Sequence, residues 1–412
     1  MAVDFARRKE LQDNVAQSAV ASLQDGRSVL ITAPTATGKT HIFTDIVDRM
    51  VEADPSIRIL VTQDRIAIGR QNLEKAHSLG RADVSFSTEG RLDASGRVAY
   101  GTTPTLAAHL DLLGQRDLVI IDECHHAAEG NERYHSQIIA AVLRDNPKAV
   151  VLGLSACVSR ADNARLHPAL ENADHFHITY NDALGVGAIV PPRTHTPNYS
   201  LTDGASIAET VDRFVDPNNP HEAAGGLYTA LRKGRPVDFF QRSVREWRRA
   251  NDGQTVPTLG YASTIADAET LRSAFAEAGL RTAIVHHGLP RPQIEKAFAD
   301  FKNGKIDFLS SVDMLTEGFD APNVRSIVCC KETTTWSEWL QINGRGARAF
   351  SSEGFDKREY TMIDMGASTY LHGSVDTLRG VENFALRGPD AEKRYRPWRC
   401  VEGGPDKDPT VY

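Results

Sequence analysis

Val29-Leu30-Ile31-Thr32-Ala33-Pro34-Thr35-Ala36-Thr37-Gly38-Lys39-Thr40 decides the fold. An apolar, β-rich run enters a short loop ending in Gly-Lys-Thr, and a segment of helical period, His41 to Met50, follows at once. Strand, loop and helix in this order form a P-loop: the loop's backbone N–H groups and the helix N-terminus converge on one point and make it an anion site. Pro34, Thr35, Ala36, Thr37, Gly38, Lys39 and Thr40 are therefore the expected phosphate cradle. Lys39 adds a point charge at the terminal phosphates, and the Thr40 hydroxyl is the expected Mg2+ ligand. Two positions depart from the strict pattern: Ala33 stands where a first Gly is usual, and Ala36 sits inside the loop.

Outward from the cradle, apolar runs alternate with helix-like segments, the pattern of parallel sheets flanked by helices. The runs of the first half are Val29 to Ala33, Ile57 to Thr62, Val98 to Gly101, Leu118 to Ile121 and Ala149 to Leu154. Helical segments between them include Ile66 to Leu79 and Pro104 to Leu113. The second half repeats the plan with Thr258 to Ala262, Thr282 to His286, Asp307 to Ser311, Ser326 to Cys330 and Tyr360 to Asp364. The Gly- and Pro-rich stretch near 185–195 reads as the connection. The expected division is residues 1–190, residues 191–372, and a tail over 373–412 containing a helix and a poorly ordered end.

The run Leu118-Val119-Ile120-Ile121 delivers Asp122-Glu123-Cys124-His125 at the C-terminal end of a strand, the edge where parallel sheets bind ligands. Two adjacent carboxylates beside phosphates repel them unless a cation intervenes. Asp122 is thus the expected Mg2+ partner, and Glu123 the residue that orients and deprotonates the attacking water. Adjacent histidines (His125-His126, His286-His287) point different ways and lack the spacing of a zinc shell, so His125 is expected instead to hydrogen-bond polar groups of the second domain.

The net charge of -7 argues against a surface that coats polyanions throughout, so nucleic-acid contacts must be local. No apolar stretch approaches a membrane span, and the N-terminus lacks a signal-like apolar segment. The five cysteines form no Cys-x-x-Cys pair, which speaks against a zinc or disulfide scaffold. The expected location is the cytosol of a prokaryote or of a phage-infected cell.

Several separated blocks, in order over roughly residues 8 to 370, resemble the superfamily-two helicases and translocases of DEAD/DEAH-box type. After the P-loop and Asp122-Glu123-Cys124-His125 comes Gly153-Leu154-Ser155-Ala156-Cys157-Val158-Ser159-Arg160. The second half offers Tyr261-Ala262-Ser263-Thr264, His287-Gly288 and Thr316-Glu317-Gly318-Phe319-Asp320. It ends the series with Gln341-Ile342-Asn343-Gly344-Arg345-Gly346-Ala347-Arg348, which fits Gln-x-x-Gly-Arg-x-x-Arg throughout.

The resemblance implies two tandem RecA-like α/β domains, each a mainly parallel sheet with flanking helices, in the P-loop NTPase fold. ATP and Mg2+ are the implied cofactors. Hydrolysis is expected at the cleft between the domains, with Arg345 and Arg348 as arginine fingers and Gln341 near the γ-phosphate. Gly318 and Asp320 are placed at the ribose, and Gln12, or equally Gln17, at adenine, with Lys9 as the upstream basic residue. His125, Ser155, Ala156 and Arg160 are placed in the coupling of hydrolysis to movement, with Cys157 standing where a Thr is usual. Nucleic-acid contacts are implied at Arg65, Gln71, Thr102, Thr103, Ser263, His287, Ser311 and Thr316, mostly sequence-tolerant backbone grips. The implied activity is an ATP-dependent helicase or translocase, with DNA favoured over RNA. The blocks look most like the branch of the TFIIH-type translocase, UvsW-type remodellers and restriction motors, whose partners include nucleases and replication or recombination proteins. The alternatives are an RNA helicase and an ATP-gated clamp or adaptor that recruits partners without unwinding.

Overall fold

The computed structural model describes residues 5–63, 83–127, 134–156, 165–216, 219–223, 226–315, 321–333, 335–352, 355–373, 375 and 395–397. Two compact units divide the chain: one holds residues 5–183, the other residues 184–379, and the 380–412 tail falls with the first.

The first unit carries β1 (Val29–Thr32), β2 (Ile59–Gln63), β3 (Val84–Ser87), β4 (Val98–Thr102), β5 (Leu118–Ile121), β6 (Val150–Ser155) and β7 (Asp174–His177). Its sheet runs β18-β7-β1-β6-β5-β2-β4-β3, where β18 is Tyr395–Pro397. All its pairings are parallel. Every residue of β1, β2, β5 and β6 is buried, because crossover helices cover both faces of a parallel sheet and leave no polar alternation. The helix Lys39–Ala53 puts Ile42, Phe43, Ile46, Val47 and Met50 on its buried side. The tail contributes a strand, β18, where the sequence suggests a helix and an irregular end.

The second unit has the six-stranded parallel order β12-β13-β11-β14-β17-β8. Its strands are β8 (Pro192–His195), β11 (Thr258–Tyr261), β12 (Thr282–Val285), β13 (Phe308–Ser311), β14 (Ser326–Cys329) and β17 (Tyr360–Asp364). Its described residues also form two small antiparallel ribbons, β9–β10 (Val215–Asp216, Asn219–Ala223) and β15–β16 (Ser351–Ser352, Phe355–Asp356). The stretch expected to be a plain connection supplies the edge strand β8, whose prolines sit at its start, where no ladder N–H is required. The core stacks Phe275 on Phe308 at 3.8 Å, with Trp247 edge-on to Phe275 and its indole N–H donating to Thr258 Oγ1 at 3.0 Å. Thr264 caps the helix Ile265–Glu277, accepting from Asp267 N at 3.1 Å. Among the described residues no helix is long and apolar enough to cross a membrane.

Candidate nucleotide site

The cradle follows β1 and turns on two left-handed residues, Ala36 (φ 78°) and Gly38 (φ 95°). Left-handed backbone strains a residue with a Cβ, so Ala36 is an outlier of the kind that collects at functional loops. At Gly38 the left-handed backbone itself favours glycine, and a Cβ would in addition push on the tips of Gln12 and Arg8. Lys39 Nζ donates to Ala33 O at 3.2 Å and the Thr37 hydroxyl donates to Pro34 O, closing the loop on itself. Gln12 Nε2 donates to Thr37 O at 2.7 Å, whereas Gln17 is exposed. The helix Phe5–Gln24 thus turns Gln12 onto the cradle and Gln17 to solvent. Beside Gln12 stands Arg8, not the exposed Lys9 expected there, and burial pulls its guanidinium below the usual arginine range. Lys9 is three residues before Gln12 and Arg8 four, and both spacings suit a helix face.

Asp122 and Glu123 leave the end of β5, two strands from β1 across β6. The register sets Thr32 beside Ser155, so the ends of β1, β6 and β5 form one edge. Glu123 is itself left-handed (φ 48°), and Asp122 Oδ1 accepts its N–H at 3.0 Å. Glu123 Oε2 is shielded from solvent and stands 3.4 Å from His125 Nδ1, at the long limit of a hydrogen bond. Burial works to raise the Glu123 carboxyl, but His125 beside it and the Lys39 charge outweigh this and hold it ionised below the ordinary carboxylate range. His125 Nδ1 also meets Ser155 Oγ at 3.0 Å. The partners that this ring finds at Glu123 and Ser155 thus belong to its own unit, where the sequence reading looked to the second domain. Gly153 is needed beneath, since a Cβ there would meet Cys124 Sγ at 2.9 Å and Leu170 Cδ2 at 2.8 Å. Ala156 is buried next to Ser155; Cys157 and Arg160 lie outside the described residues.

In the second unit Gln341 and Arg345 ride the helix Trp336–Gly346, both buried, and Arg348 follows, half-buried. Both arginine charges act on the phenol of Tyr261, which burial nevertheless pushes up. Backbone bonds fix the segment: Val190 N donates to Ala347 O at 2.8 Å, and Ile189 bridges Arg348. Of the residues assigned to nucleic acid, His287 is exposed, and Ser263 is half-buried and donates to Glu332 Oε2 at 2.9 Å. Thr102, Thr103 and Ser311 are buried, with hydroxyls engaged by Thr105, His135 and Met314 N respectively. Arg65, Gln71, Thr316, Gly318 and Asp320 lie outside the described residues.

The donor set suits a nucleotide with Mg2+. Among the described residues no cluster of three His, Cys, Asp or Glu could cage a metal alone. Mg2+ in phosphate sites asks for less, one or two protein oxygens with the rest from phosphate and water, and Thr40 and Asp122 are oxygen donors of that kind.

Residues 7–160 match the family described as "Type III restriction enzyme, res subunit", and residues 239–350 match "Helicase conserved C-terminal domain". A 51.5 kDa protein of Lactococcus phage (isolate 7-9) is 24% identical over 352 residues, 84% of this chain and 68% of that protein. IRC3 of Saccharomyces cerevisiae, named as a candidate ATP-dependent helicase, is 23% identical over 406 residues, 93% of this chain and 55% of its own length. The chain therefore spans little more than half of the yeast protein. The solved Type ISP restriction-modification enzyme LlaBIII bound to DNA shares the fold, with a TM-score of 0.59 and 16% identity over 85% of this chain and 27% of its own. A P-loop domain of the restriction-subunit type, followed by a helicase C-terminal domain on the same fold, places the chain in the superfamily-two helicase family.

Proposed function

We propose that this chain is an ATP-driven nucleic-acid motor that acts on DNA, hydrolysing ATP held by the first unit with help from the arginines of the second. The observation that carries the reading is that Glu123 shares one strand edge with the Gly38-Lys39-Thr40 cradle and stands beside His125, whose ring meets Ser155.

The loop N–H groups and Lys39 bind the triphosphate, and Gln12 and Arg8 border the cradle at Thr37 and Gly38. Thr40 and Asp122 would hold Mg2+, which when bound offsets the charge of the phosphates. Glu123 faces the attacking water. It orients that water and accepts its proton. Gln341, Arg345 and Arg348 act on the γ-phosphoryl, and Gly318 and Asp320 on the ribose. Ser155, bonded to His125, reports the state of Glu123 to the segment that follows β6, with Ala156 and Arg160 continuing that path. Strand grip falls to Arg65, Gln71, Thr102, Thr103, Ser263, His287, Ser311 and Thr316, largely through backbone groups. DNA is supported by the restriction-type first domain and by LlaBIII, a neighbour in fold that was solved on DNA. A restriction-type motor also points to a nuclease partner.

Glu123→Gln is expected to retain ATP binding and lose at least about a hundredfold in turnover, the scale of a general acid–base or water-positioning contribution. Undiminished hydrolysis by that variant overturns the assignment. Stimulation of the ATPase by duplex DNA, single-stranded DNA and RNA at matched salt reads the substrate; a response to RNA alone refutes the DNA preference. Strong stimulation without translocation or strand displacement would make the chain an ATP-gated clamp.

A further inference from the structure

Lys357 is 1% exposed and belongs to no block that the family resemblance singled out. It follows the β15–β16 ribbon and precedes β17, and its backbone N–H donates to Phe350 O at 2.9 Å. Its ammonium donates to Gly346 O at 2.5 Å, the last carbonyl of the helix that carries Gln341 and Arg345, and reaches Pro322 O at 3.5 Å. The last carbonyls of a helix have no partner within it, and a cation there is favoured by the helix dipole. One buried amine therefore caps the end of the arginine helix, with the Pro322 carbonyl at the edge of its reach.

The surroundings make this an unusual place for a lysine. The charges of Arg348 and Arg325 act on it, and the Tyr360 ring lies 5.9 Å from Nζ. Burial and the two like charges push its amine down to about 7. The rest of the arginine segment is held by neutral contacts: Tyr360 OH donates to Asn343 Oδ1 at 2.8 Å, and Val190 N to Ala347 O at 2.8 Å. A helix end needing only a cap takes a glycine or a solvated side chain at less cost than a buried ammonium beside two arginines.

We propose that Lys357 is a positioning residue for hydrolysis, fixing Arg345 and Arg348 by holding the end of their helix at the Gly346 carbonyl. This rests on the proposed roles of those arginines. A residue that sets the placement of groups acting in the transition state alters kcat and leaves nucleotide binding alone.

The test is steady-state ATPase of the full chain with saturating duplex DNA. Lys357→Met is expected to lower kcat about tenfold or more while KM for ATP moves less than about twofold. Combined with Arg345→Ala, it should add nothing to the loss that Arg345→Ala causes alone, because the two act as one unit. An unchanged kcat, or losses that multiply, overturns the proposal. If Arg345→Ala itself leaves turnover intact, the reading of the arginines fails instead, and the two failures are thus distinguishable. Should Lys357→Met not fold, Lys357→Arg carries the test through pH. The wild-type ammonium is lost as pH rises through about 7, leaving a weaker neutral donor, whereas a guanidinium keeps its charge. The ratio of variant to wild-type kcat should then climb between pH 6.5 and 8.5, and a flat ratio overturns the proposal.

Discussion

Gln12 and Gln17 show what a single residue's neighbourhood decides. Both lie on the helix Phe5–Gln24, and helical spacing alone cannot say which faces the cradle, since that depends on how the helix rolls against the sheet. In the structure Gln12 reaches Thr37 O and Gln17 is in solvent. Gln12→Ala removes a bond that steadies the cradle and leaves a carbonyl unpaired, worth about 1 kcal/mol or roughly fivefold in affinity. KM for ATP should therefore rise about fivefold in Gln12→Ala and stay unchanged in Gln17→Ala; the reverse order would mean that the helix is rolled otherwise. Arg8 was missed because Lys9 stands at the more familiar spacing, and the choice between adjacent cations is made by burial, which a sequence does not display. The acidic pair Asp122-Glu123 was readable for the opposite reason. An apolar strand ending in two acids, downstream of Gly-Lys-Thr, has few other physical uses.

At the scale of elements, the strands that were legible are those buried on both faces, such as β5 and β6, because an unbroken Val, Ile and Leu run has no competing reading as a loop. β7 was not legible, since Asp174-His175-Phe176-His177 looks polar. Its histidines are buried beside β1 and share one hydroxyl, Thr32 Oγ1, at 2.7 Å from His175 Nε2 and 2.6 Å from His177 Nδ1. Burial lowers these rings from 6.5 to about 3 and about 4. As pH falls below 6.5 the unfolded chain takes up two protons that the folded one refuses, so stability drops from there toward pH 4. The melting temperature should accordingly be lower at pH 5 than at pH 7.5, and His175→Gln should narrow the gap. A gap as wide in that variant would show that the acid sensitivity arises elsewhere. β8 was hidden by Pro191-Pro192, which reads as a connection unless the edge position that tolerates proline is known.

For the whole molecule, the order of blocks along the chain revealed two similar α/β units before any coordinate did, because an NTPase cradle without cationic help requires a second set of residues. What the order could not supply is the internal wiring. The His125–Ser155 bond within the first unit and the Lys357 cap within the second depend on side-chain directions, which only the packed fold determines. In the proposed motor one unit holds the triphosphate and the other completes its hydrolysis. The most direct measurement of this division compares ATP affinity and DNA-stimulated turnover in Arg345→Ala/Arg348→Ala. An arginine finger is worth roughly 10³ to 10⁵ in rate, so turnover should fall by about a thousandfold or more while affinity stays within about threefold. Turnover within about twofold of the unaltered protein would contradict the claim.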